Sequence, residues 1–246
     1  MSEMTAADRP GRPEPKSLTA VSLGHPLVRM LLALTFTTGL VDAASYLGLG
    51  HVFTANQTGN IVLLAAGIAG TGNLSVAAPL VSLGSFVVGA GVAGVVTKRT
   101  RARHLVLVSH ALAIEVSLLG IAAILAAAVD VTPGGASGYT VIALMALAMG
   151  VRTGTTARFG GTELTLTMLV GTLAALAANL PFTGGSGKGS VRRAAAVLAL
   201  FSGALAGALL LKTSLWLPLA AAAALALATW IIYARAMARQ PSGLPL

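Results

Sequence analysis

Gly39-Leu40-Val41-Asp42-Ala43-Ala44-Ser45-Tyr46 closes the first long apolar stretch of this chain, and His51-Val52-Phe53-Thr54-Ala55-Asn56-Gln57-Thr58-Gly59-Asn60 follows it. The apolar stretch runs from Leu27 to Gly48. As a helix rising 1.5 Å per residue it crosses a hydrocarbon core of about 30 Å. Asp42 lies two thirds of the way along it. A carboxylate at that depth is costly unless paired, hydrated or protonated, which makes it a functional candidate by default. The next apolar segment, 58–70, would be about 20 Å long as a helix, too short for an ordinary span. Polar Asn56, Gln57, Thr58 and Asn60 stand at its start. Non-helical backbone at membrane depth survives only against protein or a water-filled cavity. A re-entrant half-helix there points its N-terminus at the midplane, where free N–H groups and the dipole favour an anion or an electronegative group. Asp42, Asn56, Thr58, Gly59 and Asn60 are therefore candidate solute- or ion-binding residues. The structural alternative is that Thr58 and Asn60 cap a helix while Asp42 holds two helices together.

Composition fixes the class around this segment. Of 246 residues, 56% are hydrophobic and 9% charged. A soluble domain carries about 25% charged residues. Mean hydropathy is +0.86. The chain reads as an all-α, polytopic membrane helix bundle. Cysteine is absent, which excludes disulfides, Cys-zinc sites and thiol catalysis. The net charge of +9 fits the basic bias of cytoplasmic loops, not nucleic-acid binding. Residues 1–26 are polar and Pro-rich, with Arg9, Arg12 and Lys16, and read as a disordered cytoplasmic tail. The stretch behind them is too long for the apolar region of a cleaved signal peptide. Residues 27–240 form one transmembrane domain.

Topology follows from charge. Beyond the first stretch, the apolar segments are 58–70, 74–97, 105–128, 139–157, 163–180, 194–212 and 215–234. If all eight segments span with the N-terminus inside, nine basic residues lie inside and seven outside, including Lys98, Arg99, Arg101 and Arg103. If 58–70 and 163–180 are re-entrant, six spans remain, and of the 16 basic residues only Lys212 lies outside. The positive-inside rule prefers the second arrangement, with both termini cytoplasmic. The alternative is eight spans in a 4+4 parallel repeat.

The halves 27–128 and 139–240 resemble each other. Gly39 and Gly150, Gly50 and Gly161, and Thr54 and Thr165 share one spacing. After one inserted residue Gly59 matches Gly171, and Leu64-Ala65-Ala66 matches Leu176-Ala177-Ala178. Three spans per half force opposite orientations, giving the inverted 3+3 repeat of many transporters and channels. Gly171 and Thr172 then join the candidate binding residues. Arg152 lies near the repeat equivalent of Asp42, and a pair between them is far cheaper than two lone charges. The alternative has Arg152 snorkelling to the cytoplasmic face. Glu115, in mid-span, is the second candidate for proton coupling after Asp42. His110 stands about 140° around the helix from it, so the two do not share a face.

Gly-x-x-Asp-Ala-x-Ser-Tyr followed by Val-Phe-x-Ala-Asn-x-Thr-Gly-Asn resembles the YoaK-like family of bacterial integral membrane proteins, a family of unknown function. The likeness runs from about residue 27 to 234. It implies a bacterial inner-membrane protein and no established substrate. The family pattern places Met-Gly-x-Gln near a span end and Thr-Gly-Thr at the second half-helix. Here Arg152 stands for the Gln and Val170 for the first Thr. Those departures make an Asp42–Arg152 pair particular to this chain.

Two glycine-rich runs carry no nucleotide chemistry. Gly89-x-Gly91-x-x-Gly94 lies inside an apolar span with no strand before it. Gly89 and Gly94 read as close helix packing, like Gly203 and Gly207 in the matching span. Gly184 to Gly189 lacks the Ser or Thr that follows the lysine of a phosphate loop. No His-Glu-x-x-His, Gly-x-Ser-x-Gly or Asp-rich pair is present, so an intramembrane lipid-modifying enzyme is disfavoured. The expected function is a transporter or channel for a small anionic or neutral polar solute. The alternative is a non-catalytic membrane subunit that stabilises or regulates a partner. No cofactor, metal or nucleic-acid partner is expected. The bilayer is the surroundings, and small-residue helix faces allow a homo-oligomer.

Overall fold

The computed structural model describes residues 26–100, 104–159, 169–178 and 189–238. All regular structure among them is helical: α1 Pro26–Gly48, α2 Gln57–Ile68, α3 Ala77–Thr100, α4 His104–Ala128, α5 Ala136–Phe159, α6 Leu169–Ala178, α7 Ser190–Leu211 and α8 Trp216–Ala238. Six of these, α1, α3, α4, α5, α7 and α8, are long and apolar enough to cross a membrane. Helices are the expected answer, because in lipid every backbone polar group must find its partner within the segment. The N-terminal tail and the Gly184–Lys188 run lie outside the described residues. So does most of the first half of segment 163–180, whose described helix, α6, has 10 residues.

The long helices pair through glycine. On α1, a side chain at Gly39 would strike the carbonyl oxygen of Leu200 on α7. In return, Gly203 and Gly207 lie against the carbonyls of Phe36 and Leu40. The α3–α5 seam has the same register: Gly89 lies against the Leu147 carbonyl, and Gly150 against that of Phe86. Without a hydrophobic drive between helices in lipid, such backbone-to-backbone approach supplies the packing. Gly89, Gly203 and Gly207 thus pack as the sequence indicates. Gly94 is half-buried, and across the seam Gly154 lies against Ala90 and Ala93.

α4 packs on α5 and α8, and α1 also packs on α8. The core lies where they meet, among Leu40, Val41, Leu119, Ile142, Met145 and Leu219.

After α1 the chain reverses. Gly50 and His51 take positive φ, +92° and +59°, and the backbone turns back along α1. Tyr46 braces the reversal, its ring stacked on Phe53 at 4.8 Å and edge-on to His51 at 5.2 Å.

Candidate functional site

The returning segment ends on Asp42. Its Oδ1 accepts the N–H groups of Thr54 at 2.9 Å and Ala55 at 2.8 Å. Its Oδ2 accepts that of Asn56 at 3.2 Å. Three successive N–H groups turned toward one carboxylate form an anion nest. The sequence reading left such donors free for a solute. Here Asp42 already fills that place, and its charge lies beside the start of α2, where the helix dipole favours it. Asn56 caps α2, its Oδ1 accepting from the Gly59 N–H at 3.3 Å.

The rest of the polar run ties α2 to α3. Fully buried Asn60 accepts from the Phe53 N–H at 2.9 Å. Its amide donates to the Phe53 carbonyl at 2.6 Å and to Gln57 Oε1 at 2.8 Å. Ser82 of α3 donates to the same Phe53 carbonyl at 2.7 Å. Gly59 is glycine because a Cβ there would come within 2.9 Å of the Phe53 ring. Asn60 and Gly59 therefore build the turn and Asn56 caps α2, whereas the structural alternative read from the sequence assigned the capping to Thr58 and Asn60. Thr58 and Asn56 are exposed. Thr54 is fully buried, and its Oγ1 finds no hydrogen-bond partner among the described residues.

These contacts also set depth. Asp42 is six residues before the end of α1 and Ser82 five after the start of α3, so both lie about 8–9 Å in from their helix ends. The C-terminal end of α1 and the N-terminal end of α3 are on the same side of the bundle. The start of α2 is thus well short of mid-bundle, shallower than the sequence reading placed it.

Mid-bundle is occupied by a different pair. Arg152 of α5 donates from Nε to Glu115 Oε2 of α4 at 2.9 Å, and from Nη2 to Glu115 Oε1. Nη1 donates to the Leu34 carbonyl and to Thr38 Oγ1 of α1, each at 2.8 Å. The side chains are 5% and 0% exposed, so neither charge reaches the lipid or the end of the bundle. This corrects the pairing of Asp42 with Arg152. Thr38 stands one turn before Asp42 on α1. Arg152 pairs with Glu115 and not with Asp42: a planar fork matches a carboxylate on both oxygens, while three backbone N–H groups already hold Asp42. His110, by contrast, is exposed and hydrogen-bonds the Val106 carbonyl of its own helix.

Gly171 and Thr172 fall in the first turn of α6, and their side chains lie outside the described residues. Thr38, Thr54, Gln57 and Ser82 were not singled out as ligands in the sequence. Thr38 had a legible signal, four residues before Asp42 on the same helix face. Ser82 had none beyond being a hydroxyl in an apolar span. A crevice of about 470 Å³ opens between α3 and α5, lined by Leu80, Gly84, Val88, Thr140 and Leu147 among others. It is apolar and separate from the Arg152 cluster. Among the described residues no three His, Asp or Glu side chains come together as metal ligands.

Residues 30–232 match the model of a family described as "Protein of unknown function (DUF1275)". The chain belongs to the DUF1275 family. This DUF1275 chain is 36% identical to the UPF0700 transmembrane protein YoaK of Bacillus subtilis (strain 168), over 160 residues. That covers 65% of this chain and 68% of the relative. No solved structure matches it. The family match and the six spans make it a multi-pass membrane protein of a YoaK-like family whose function is unknown.

Proposed function

We propose that this DUF1275 protein is a transporter or channel of the bacterial inner membrane for a small anionic or neutral polar solute. The observation that carries the reading is the buried Arg152–Glu115 pair, held by Thr38 and the Leu34 carbonyl where α1, α4 and α5 meet. Replacing such a pair with apolar side chains is often neutral or stabilising. Ionisable residues inside a membrane mark solute and ion pathways by default. Asp42 and its turn stand one helical turn toward the end of the bundle, so the polar groups form a file along α1.

The architecture that supports this reading is an inverted 3+3 repeat with α2 and α6 as re-entrant half-helices. Three facts support it. The α1–α7 and α3–α5 seams share one register. The end of α1 and the start of α3 are tied together through Phe53, Asn60 and Ser82. Both termini then lie on the cytoplasmic side, where the basic residues concentrate. In this reading the chain does no covalent chemistry, and its surroundings are the lipid bilayer.

The test is flux. Purified protein in liposomes is given an inward gradient of L-lactate, nitrate or glycerol, beside protein-free vesicles and the Arg152→Gln variant. Uptake of one of these above both controls supports the reading, and no uptake of any rejects it. A second reading, a membrane subunit serving a partner or a homo-oligomer, draws on the outward face of α3. There Gly84 and Gly91 are exposed, and a Cβ on either would meet nothing.

A further inference from the structure

We propose that Glu115 occupies the place of a solute's carboxylate on Arg152, and that a small monocarboxylate displaces it as Glu115 takes up a proton. The inference rests on the transport reading and names its substrate class and its coupling.

The geometry supplies the recognition. The Nε/Nη2 edge of Arg152 faces both oxygens of Glu115, the two-pronged contact by which a guanidinium selects a planar carboxylate. The remaining prong, Nη1, is fixed by α1 through Leu34 and Thr38. The fork is therefore held in place independently of Glu115. Whatever replaces Glu115 meets a pre-oriented donor pair, and a carboxylate fits it best.

Charge balance supplies the coupling. The Arg152 and Glu115 side chains are buried, and an unpaired charge at that depth is strongly disfavoured. A carboxylate arriving on Arg152 leaves Glu115 without its partner. The groups packed around Glu115 offer no substitute among the described residues. Arg152 comes from α5 and the uncharged Thr38 from α1, with Asp42 one turn further and itself negative. On α8, Tyr233 and Arg235 lie beyond the Trp230–Ser109 contact, which is about 9 Å along α4 from Glu115. On α3, Lys98 and Arg99 lie at the far end of the helix. Glu115 must then take a proton to remain buried. One anion and one proton enter together, and the cycle carries no net charge.

The experiment is a linked binding measurement on the full chain in detergent, reading the rise in melting temperature with L-lactate, which stays ionised across the range used. If one proton binds with each lactate, apparent affinity tightens about tenfold for each pH unit lowered. Glu115→Gln mimics the protonated form and is expected to bind lactate with no pH slope. In liposomes, lactate uptake is expected to acidify the lumen and to ignore an imposed membrane potential. A wild-type affinity independent of pH overturns the proposal, as does a slope that survives in Glu115→Gln. Should Glu115→Gln fail to fold, the wild-type slope and the lumen acidification decide alone. Glycerol flux without lactate binding overturns this inference and leaves the transport reading standing, while absence of any solute flux removes that reading itself.

Discussion

Removing Glu115 and Arg152 singly and together measures whether they form one unit. Glu115→Gln leaves a guanidinium at mid-bundle facing a neutral amide, and Arg152→Gln leaves a carboxylate there. Breaking a buried pair from one side costs about 3 kcal/mol or more. The lower end applies in a membrane, where the unfolded reference also finds partners. The double variant restores neutrality. It loses the two Nη1 bonds to Leu34 and Thr38, at about 1 kcal/mol each. Two single losses of about 3 kcal/mol against a double loss of about 2 leave a coupling of about 4 kcal/mol. Steric-trap unfolding in bicelles reads these differences at equilibrium. The same cycle on Asp42→Asn with Arg152→Gln is expected to give less than about 1 kcal/mol, since no hydrogen bond joins those side chains. Additivity of the Glu115 and Arg152 losses within about 0.5 kcal/mol, or a stronger coupling of Arg152 to Asp42, refutes the assignment of partners.

Other outcomes follow from the packing and the turn. Asp42→Ala strips the acceptor from three N–H groups and is expected to cost about 2–3 kcal/mol, with Asp42→Asn nearer 1, read by the same unfolding assay. Gly150→Ala and Gly203→Ala push a methyl into a facing backbone carbonyl and are expected to lose about 1–3 kcal/mol. Gly91→Ala points into open space and is expected to hold or gain up to about 1 kcal/mol as a monomer. The chain has no native cysteine, so single probes report sidedness. Thr71→Cys, in the exposed α2–α3 loop, is expected to react with an impermeant thiol reagent on intact cells. Thr100→Cys, at the end of α3, is expected to react only after lysis. The reverse pattern favours eight spans.

Much of this was legible in the chain alone. Few charges, spanning apolar runs and the basic bias of one set of loops fix an all-helical membrane bundle with six long spans, because the bilayer leaves the backbone one economical solution. The glycines at 89, 203 and 207 were legible too, since small residues inside an apolar span have little use except close approach. The sequence also marked Asp42, Glu115 and Arg152 as the charges that need an explanation. It could not say which of them meet. Arg152 lies 110 residues from Asp42 and 37 from Glu115 along the chain, and neither spacing sets a distance in space. Tertiary packing decided it. The reversal at Gly50 and His51 brings backbone N–H groups onto Asp42 and satisfies it locally. The meeting of α1, α4 and α5 then presents Arg152 with the buried carboxylate of Glu115. A buried charge takes the partner that packing delivers.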